Sequence, residues 1–133
     1  MLYTDATDEE ILKYIDEWAS LLEKEDYEGT FYFTQHKKKS GWTPELIKLV
    51  IKSYADCEPF QKVTVSNNGL SIDGQGNIEK GIQSKEVTWL DEKGGYIWYD
   101  LNIDQYISDL TATFDFDKTD KEISIYLNEI HVM

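Results

Sequence analysis

Four carboxylates fall within eight positions of the stretch TATFDFDKTDKEISI: Asp115, Asp117, Asp120 and Glu122. Such a run has three chemical readings: a loop that chelates a cation, a cluster for acid–base work, or the wet side of a hairpin. A calcium loop needs oxygen ligands at its positions 1, 3 and 5, glycine at 6 and glutamate at 12. Counted from Asp115, these positions include Thr119, Asp120 and Tyr126 where an oxygen-rich ligand, glycine and glutamate are required, so chelation fails. Alternation gives a simpler account. Leu110, Ala112, Phe114 and Phe116 share one side of a strand, which turns Asp115 and Asp117 to the other, and Glu122 opposes Ile123 in the same way. Lys118-Thr119-Asp120-Lys121 closes the hairpin between them. These carboxylates belong to a solvated, negative sheet face.

Other chemistry is sparse. The two histidines, His36 and His131, stand in no metal-ligand spacing, and no nucleophile elbow is present. The best enzymatic candidate is Asp100 in YIWYDLNI, out of phase with Tyr99 and Leu101 and flanked by aromatics. On a concave face with Tyr96 and Trp98 it would suit proton transfer; on a flat wet face it is an ordinary surface carboxylate. A pocket reading gathers Trp89, Trp98, Tyr99, Asp100 and His131 around a small molecule. Cys57 is the only cysteine, which rules out an internal disulfide and a four-cysteine zinc site. Neither a metal nor another cofactor is expected. HKKKSGW (36–42) is the only basic cluster; without a glycine-rich phosphate loop it reads as a solvated connection.

The elements that position these residues follow from length and period. The 133 residues, 41% hydrophobic and 14% aromatic, suit one domain over 1–133 with a real core, and are too aromatic for an acidic disordered tail. The net charge is −13 and every basic residue is lysine. Without arginine's planar fork, and with a repelling field, nucleic acid and anionic lipid are poor partners; a basic protein is a good one. No apolar run is long enough to span a membrane, and the acidic opening MLYTDATDEE lacks a leader's basic-then-apolar order, so a cytoplasmic location is expected.

Thr7 and Glu10 have capping-box spacing, and Ile11, Ile15, Trp18 and Leu22 then recur on one helical face. Asp26 caps a second short helical piece carrying Tyr27, Phe31 and Tyr32. Thr43-Pro44 starts another helix, with Leu46, Ile47, Val50, Ile51 and Tyr54 as its apolar side and Pro59 beyond its end. From there the period changes to two. Strands are predicted over 62–66, 82–91, 95–103, around Leu110–Phe116, and from Ile123 onward, with turns at Asn67-Asn68-Gly69 and at Glu92-Lys93-Gly94-Gly95. The phase of the last strand slips before Ile130 and Val132, which predicts a bulge or a two-sided burial near the C-terminus. The expectation is an α+β domain with N-terminal helices packed on a curved antiparallel sheet of about five strands.

Three stretches carry a resemblance: WASLLEKEDYEG, WTPELIKLVIKSY and SDLTATFDF…ISIYLNEIHVM. With the order of elements, they resemble small bacterial proteins of the cone-shaped nuclear transport factor and ketosteroid isomerase superfamily, some of them immunity proteins of polymorphic toxin systems. The resemblance spans nearly the whole chain and rests on structural positions. The isomerase pattern of an aspartate base with a tyrosine–acid oxyanion pair is not recognisable here. The resemblance implies a cytoplasmic protein that binds and neutralises a cognate toxin. Under that expectation Asp115, Asp117, Asp120 and Glu122 are candidate contacts, with Trp98 or Tyr126 as aromatic anchor. A homodimer paired through the sheet is a further expectation.

Overall fold

The structure is a computed structural model that describes residues 2–54, 63–65, 70–72, 74–81 and 83–132. Among the described residues, three helices come first: α1 (Asp8–Glu23), α2 (Tyr27–Phe33) and α3 (Pro44–Ser53). Seven strands follow: β1 (Val63–Thr64), β2 (Leu70–Ile72), β3 (Ile78–Lys80), β4 (Lys85–Asp91), β5 (Gly94–Ile103), β6 (Tyr106–Lys118) and β7 (Ile123–Val132). This is the α+β class that the change of period predicts. The expected turn at Asn67-Asn68-Gly69, together with Cys57 and Pro59, lies outside the described residues.

Each helix starts where its cap chemistry dictates. Thr7 Oγ1 accepts the Glu10 N–H at 3.2 Å and Glu10 Oε1 accepts the Thr7 N–H at 3.2 Å, a reciprocal capping box. Asp26 Oδ1 accepts the Gly29 N–H at 2.9 Å, and Thr43 Oγ1 accepts the Leu46 N–H at 3.0 Å. Ile11, Ile15, Trp18, Ala19 and Leu22 of α1 are buried, as are Ile47 and Ile51 of α3. Trp18 presses edge-on against Phe114 of β6 with centroids 5.0 Å apart, which docks α1 onto the sheet.

The sheet is open and built on four long antiparallel strands in the order β4-β5-β6-β7. Short strands extend both sides. β1 follows β4 along the same edge of β5, pairing Val63 with Ile103, and β2 touches β6 in parallel at Leu70 and Tyr106, with β3 outside it. The sheet is therefore mixed and has seven strands, where about five antiparallel ones were expected. β2 and β3 have three residues each, and β3 is exposed throughout, so neither carries the alternation that burial imposes.

Two local irregularities shape the strands. β7 pairs Glu129 with Thr113 but Leu127 with Phe114, leaving Asn128 as the extra residue of a bulge at the predicted phase slip. Asp104 and Gln105 join β5 to β6 with φ of 50° and 76°, the left-handed pair of a two-residue hairpin loop. Neighbours hold this loop: Thr64 Oγ1 accepts the Gln105 N–H at 2.8 Å, and Gln105 O accepts the Leu70 N–H at 2.8 Å.

The far edge of β7 is closed piecewise by segments from the helical half. Leu2 O accepts the Ile123 N–H at 2.9 Å, Ile125 O accepts the Gln35 N–H at 2.8 Å, and Gln35 O accepts the Leu127 N–H at 3.2 Å. Trp42 Nε1 donates to Asn128 O at 2.9 Å. Among the described residues, no helix is long and apolar enough to cross a membrane.

Candidate functional site

The pleat sorts the strands into two faces. Ile97, Tyr99, Leu101, Phe114, Phe116 and Leu127 point to the helices and are buried. The residues between them point the other way. Across that outer face Tyr96 pairs with Asp115 and Asp115 with Tyr126; one row along, Trp98 pairs with Thr113. Tyr96 is 39% exposed, whereas Trp98, Asp115 and Tyr126 are half-buried.

Alternation correctly places Asp115 and Asp117 away from the core. Asp115, however, is not bare. Lys37, carried past β7 by the segment anchored at Gln35, places Nζ 3.2 Å from Asp115 Oδ2 and 5.7 Å from the Tyr126 ring centroid. Two open hollows meet at this ion pair. One, of about 440 Å³, also touches Trp42, Leu127 and Glu129; the other, of about 320 Å³, touches Leu90, Lys93 and Asp117. The solvated lysine loop thus meets the acidic face, a contact between residues 78 positions apart that no local pattern encodes.

The other two carboxylates separate from this pair. Asp120 is exposed at the hairpin tip, where the Lys121 and Glu122 N–H groups donate to Thr119 Oγ1 at 3.3 and 3.2 Å. Glu122 instead bears on α1. The Tyr14 phenol is held above its ordinary value by burial first, then by the charges of Glu17 and Glu122.

The five pocket candidates divide between the faces. Trp98, Asp100 and His131 lie outside; Trp89 and Tyr99 lie against the helices. Asp100 is engaged: its Oδ1 accepts Trp98 Nε1–H at 2.8 Å and the Thr111 hydroxyl at 2.7 Å. His131 Nδ1 lies 3.1 Å from Glu129 Oε2. His36 Nε2 lies 2.6 Å from Phe31 O, with its ring stacked on Phe31 at 4.2 Å. On the inner side, Trp89 Nε1 donates to Asp8 Oδ1 at 2.8 Å and its ring meets Phe116 edge-on at 4.8 Å.

Tyr99 belongs to a charged cluster near the core, and sequence reasoning missed its partner, Asp16. The Tyr99 hydroxyl donates to Asp16 Oδ1 at 2.6 Å, and Lys85 Nζ lies 3.2 Å from the same oxygen. Burial, then the Asp16 hydrogen bond and charge, push the Tyr99 phenol far above its ordinary value, with Gln83 opposing. A phenol so held stays protonated at neutral pH, with its O–H committed to a hydrogen bond with the Asp16 carboxylate. The one advance signal is that Asp16 follows Ile15 on α1, beside the apolar stripe.

Among the described residues, no three His, Cys, Asp or Glu side chains converge as a metal site. The outer face carries two tyrosines and a tryptophan whose flat surfaces suit an apolar or cationic contact, beside carboxylates that can accept hydrogen bonds from a cation. No family model, curated protein or solved structure matches this chain.

Proposed function

We propose that the chain is a non-enzymatic binding protein that captures a basic protein partner on the outer face of its sheet, acting in the cytoplasm as an immunity protein that neutralises a cognate toxin. Kinship with the cone-shaped nuclear transport factor and ketosteroid isomerase superfamily is part of this proposal. The observation that carries it is the composition of the outer sheet face, where no helix packs among the described residues: Tyr96, Trp98 and Tyr126 interleave with Asp115 and Asp117 where a solvated face needs only small polar side chains. Aromatic anchors ringed by charge are the usual makeup of a high-affinity protein contact. The net charge of −13 adds steering toward a basic surface and repels acidic competitors. The five residues of the ligand-pocket reading sit on opposite faces of one sheet.

The test is co-expression and pull-down with the product of the neighbouring gene, followed by calorimetry. A stable complex is expected, one that protects cells and weakens with salt. Trp98→Ala should weaken binding by about 30-fold, equivalent to about 2 kcal/mol. No complex and no protection would defeat the proposal.

A further inference from the structure

The chain builds the same triad of lysine, aspartate and tyrosine twice, once on each face of the sheet. On the inner face Lys85 Nζ lies 3.2 Å from Asp16 Oδ1 and 5.7 Å from the Tyr99 ring centroid. On the outer face Lys37 Nζ lies 3.2 Å from Asp115 Oδ2 and 5.7 Å from the Tyr126 ring centroid. The distances agree, but the surroundings do not. The inner triad is sealed: the Tyr99 hydroxyl shares Asp16 Oδ1, and the Lys85 and Asp16 side chains are only 21% and 23% exposed. The outer triad is open, with the Lys37 side chain 60% and that of Asp115 37% exposed. Among the described residues, Asp115 is engaged at Oδ2 only.

We propose that Asp115 and Tyr126 form a subsite for an arginine side chain of the basic partner, and that Lys37 is its internal occupant, displaced when the partner binds. The inference rests on the proposed function and adds the chemistry of one contact and a competitor carried by the chain itself.

The seated lysine fits the subsite incompletely. Its ammonium is a compact charge that reaches one carboxylate oxygen and stands close to the roughly 6 Å limit of a cation–π contact. A guanidinium is planar, so it can take both oxygens of Asp115 and lie flat on a ring. Two rings are within its reach, because Tyr96 and Tyr126 flank Asp115 in cross-strand register. The chain cannot supply this better occupant, since all thirteen of its basic residues are lysine.

Displacement costs little. An ion pair this exposed weakens an incoming cation by about fivefold at most. Access is open from two sides, because the hollows of about 440 and 320 Å³ meet at Lys37 and Asp115. Lys37 thereby sets a threshold. A partner's lysine would only replace one ammonium with another, whereas an arginine gains a second hydrogen bond and a stacked face. The subsite therefore selects arginine over lysine.

Oligo-arginine and oligo-lysine peptides of equal length test this on the full chain, with the Tyr126 ring resonances followed by NMR. The peptides need no cognate toxin, so the subsite and the proposed function succeed or fail separately. At this ring the wild type should bind the arginine peptide about threefold more tightly than the lysine peptide. Lys37→Ala should raise affinity for the arginine peptide about threefold beyond Lys38→Ala, which removes the same charge from an exposed neighbour. In an Asp115→Asn background that excess should vanish, because the lysine and the arginine no longer compete for a carboxylate. Equal affinity for the two peptides, a gain no larger in Lys37→Ala than in Lys38→Ala, or an excess that survives Asp115→Asn would each overturn the assignment.

Discussion

The two faces of the β4–β7 sheet are made by alternate residues of the same strands, yet they meet different demands. Inside, Phe114, Phe116, Ile97 and Leu127 leave no more than 1% of their surface exposed and pack under α1 and α3. Outside, Tyr96, Trp98 and Tyr126 keep part of their rings in water. An aromatic side chain therefore has two uses one residue apart. Toward the helices it stabilises the fold by losing water completely; away from them it stays partly hydrated. Substitutions should separate accordingly.

The largest expected effect is Phe114→Ala, which opens a cavity beneath Trp18 and should destabilise the chain by about 3–5 kcal/mol in urea unfolding. Trp98→Ala sharpens the contrast. It should lower affinity for the proposed basic partner by about 30-fold while costing about 1–2 kcal/mol of stability, through the hydrogen bond to Asp100 and the half-buried ring. If Trp98→Ala destabilises the chain as much as Phe114→Ala, the distinction between the faces breaks down.

Tyr99→Phe comes next, costing about 1 kcal/mol by removing the donor to Asp16. It also probes alkaline pH. In the folded chain the Tyr99 phenol titrates far above its ordinary value of 10.0, so above that pH the unfolded chain releases a proton that the folded one keeps. Stability should be fully present below about pH 10 and fall as pH rises beyond it. Tyr14, Tyr27 and Tyr54 are shifted in the same direction and add to the slope. Urea midpoints across alkaline pH should show a shallower decline for Tyr99→Phe than for the wild type. The smallest effect belongs to Lys37→Ala. Its ion pair joins a lysine side chain 60% exposed to an aspartate 37% exposed, so its loss should change stability by less than about 1 kcal/mol.

Much of this division was legible in the sequence because it is local. The Thr7–Glu10 box, Thr43 before Pro44, and the phase of Phe114 and Phe116 each depend on neighbours within a turn or a pleat. Even the bulge at Asn128 showed as a break in alternation. The β5–β6 loop did not, because Asp104-Gln105 lacks the glycine that normally marks a left-handed pair; contacts from β1 and β2 hold it instead. The polar partners were hidden for a related reason. Lys37 with Asp115, and Asp16 with Tyr99, are brought together only by the packing of helices on the sheet. Glu122 was grouped with Asp115 because they are close in sequence, but the hairpin turns its charge toward Tyr14.

The closure of β7 also bears on how the chain is made. Leu2, Gln35 and Trp42 leave the ribosome long before residues 123–128, and their bonds to those residues can form only once that last strand has emerged. The helical half must therefore wait, with one flank unfinished, until β7 has been made. In this molecule β7 acts as a clasp, fastening together segments synthesised well before it.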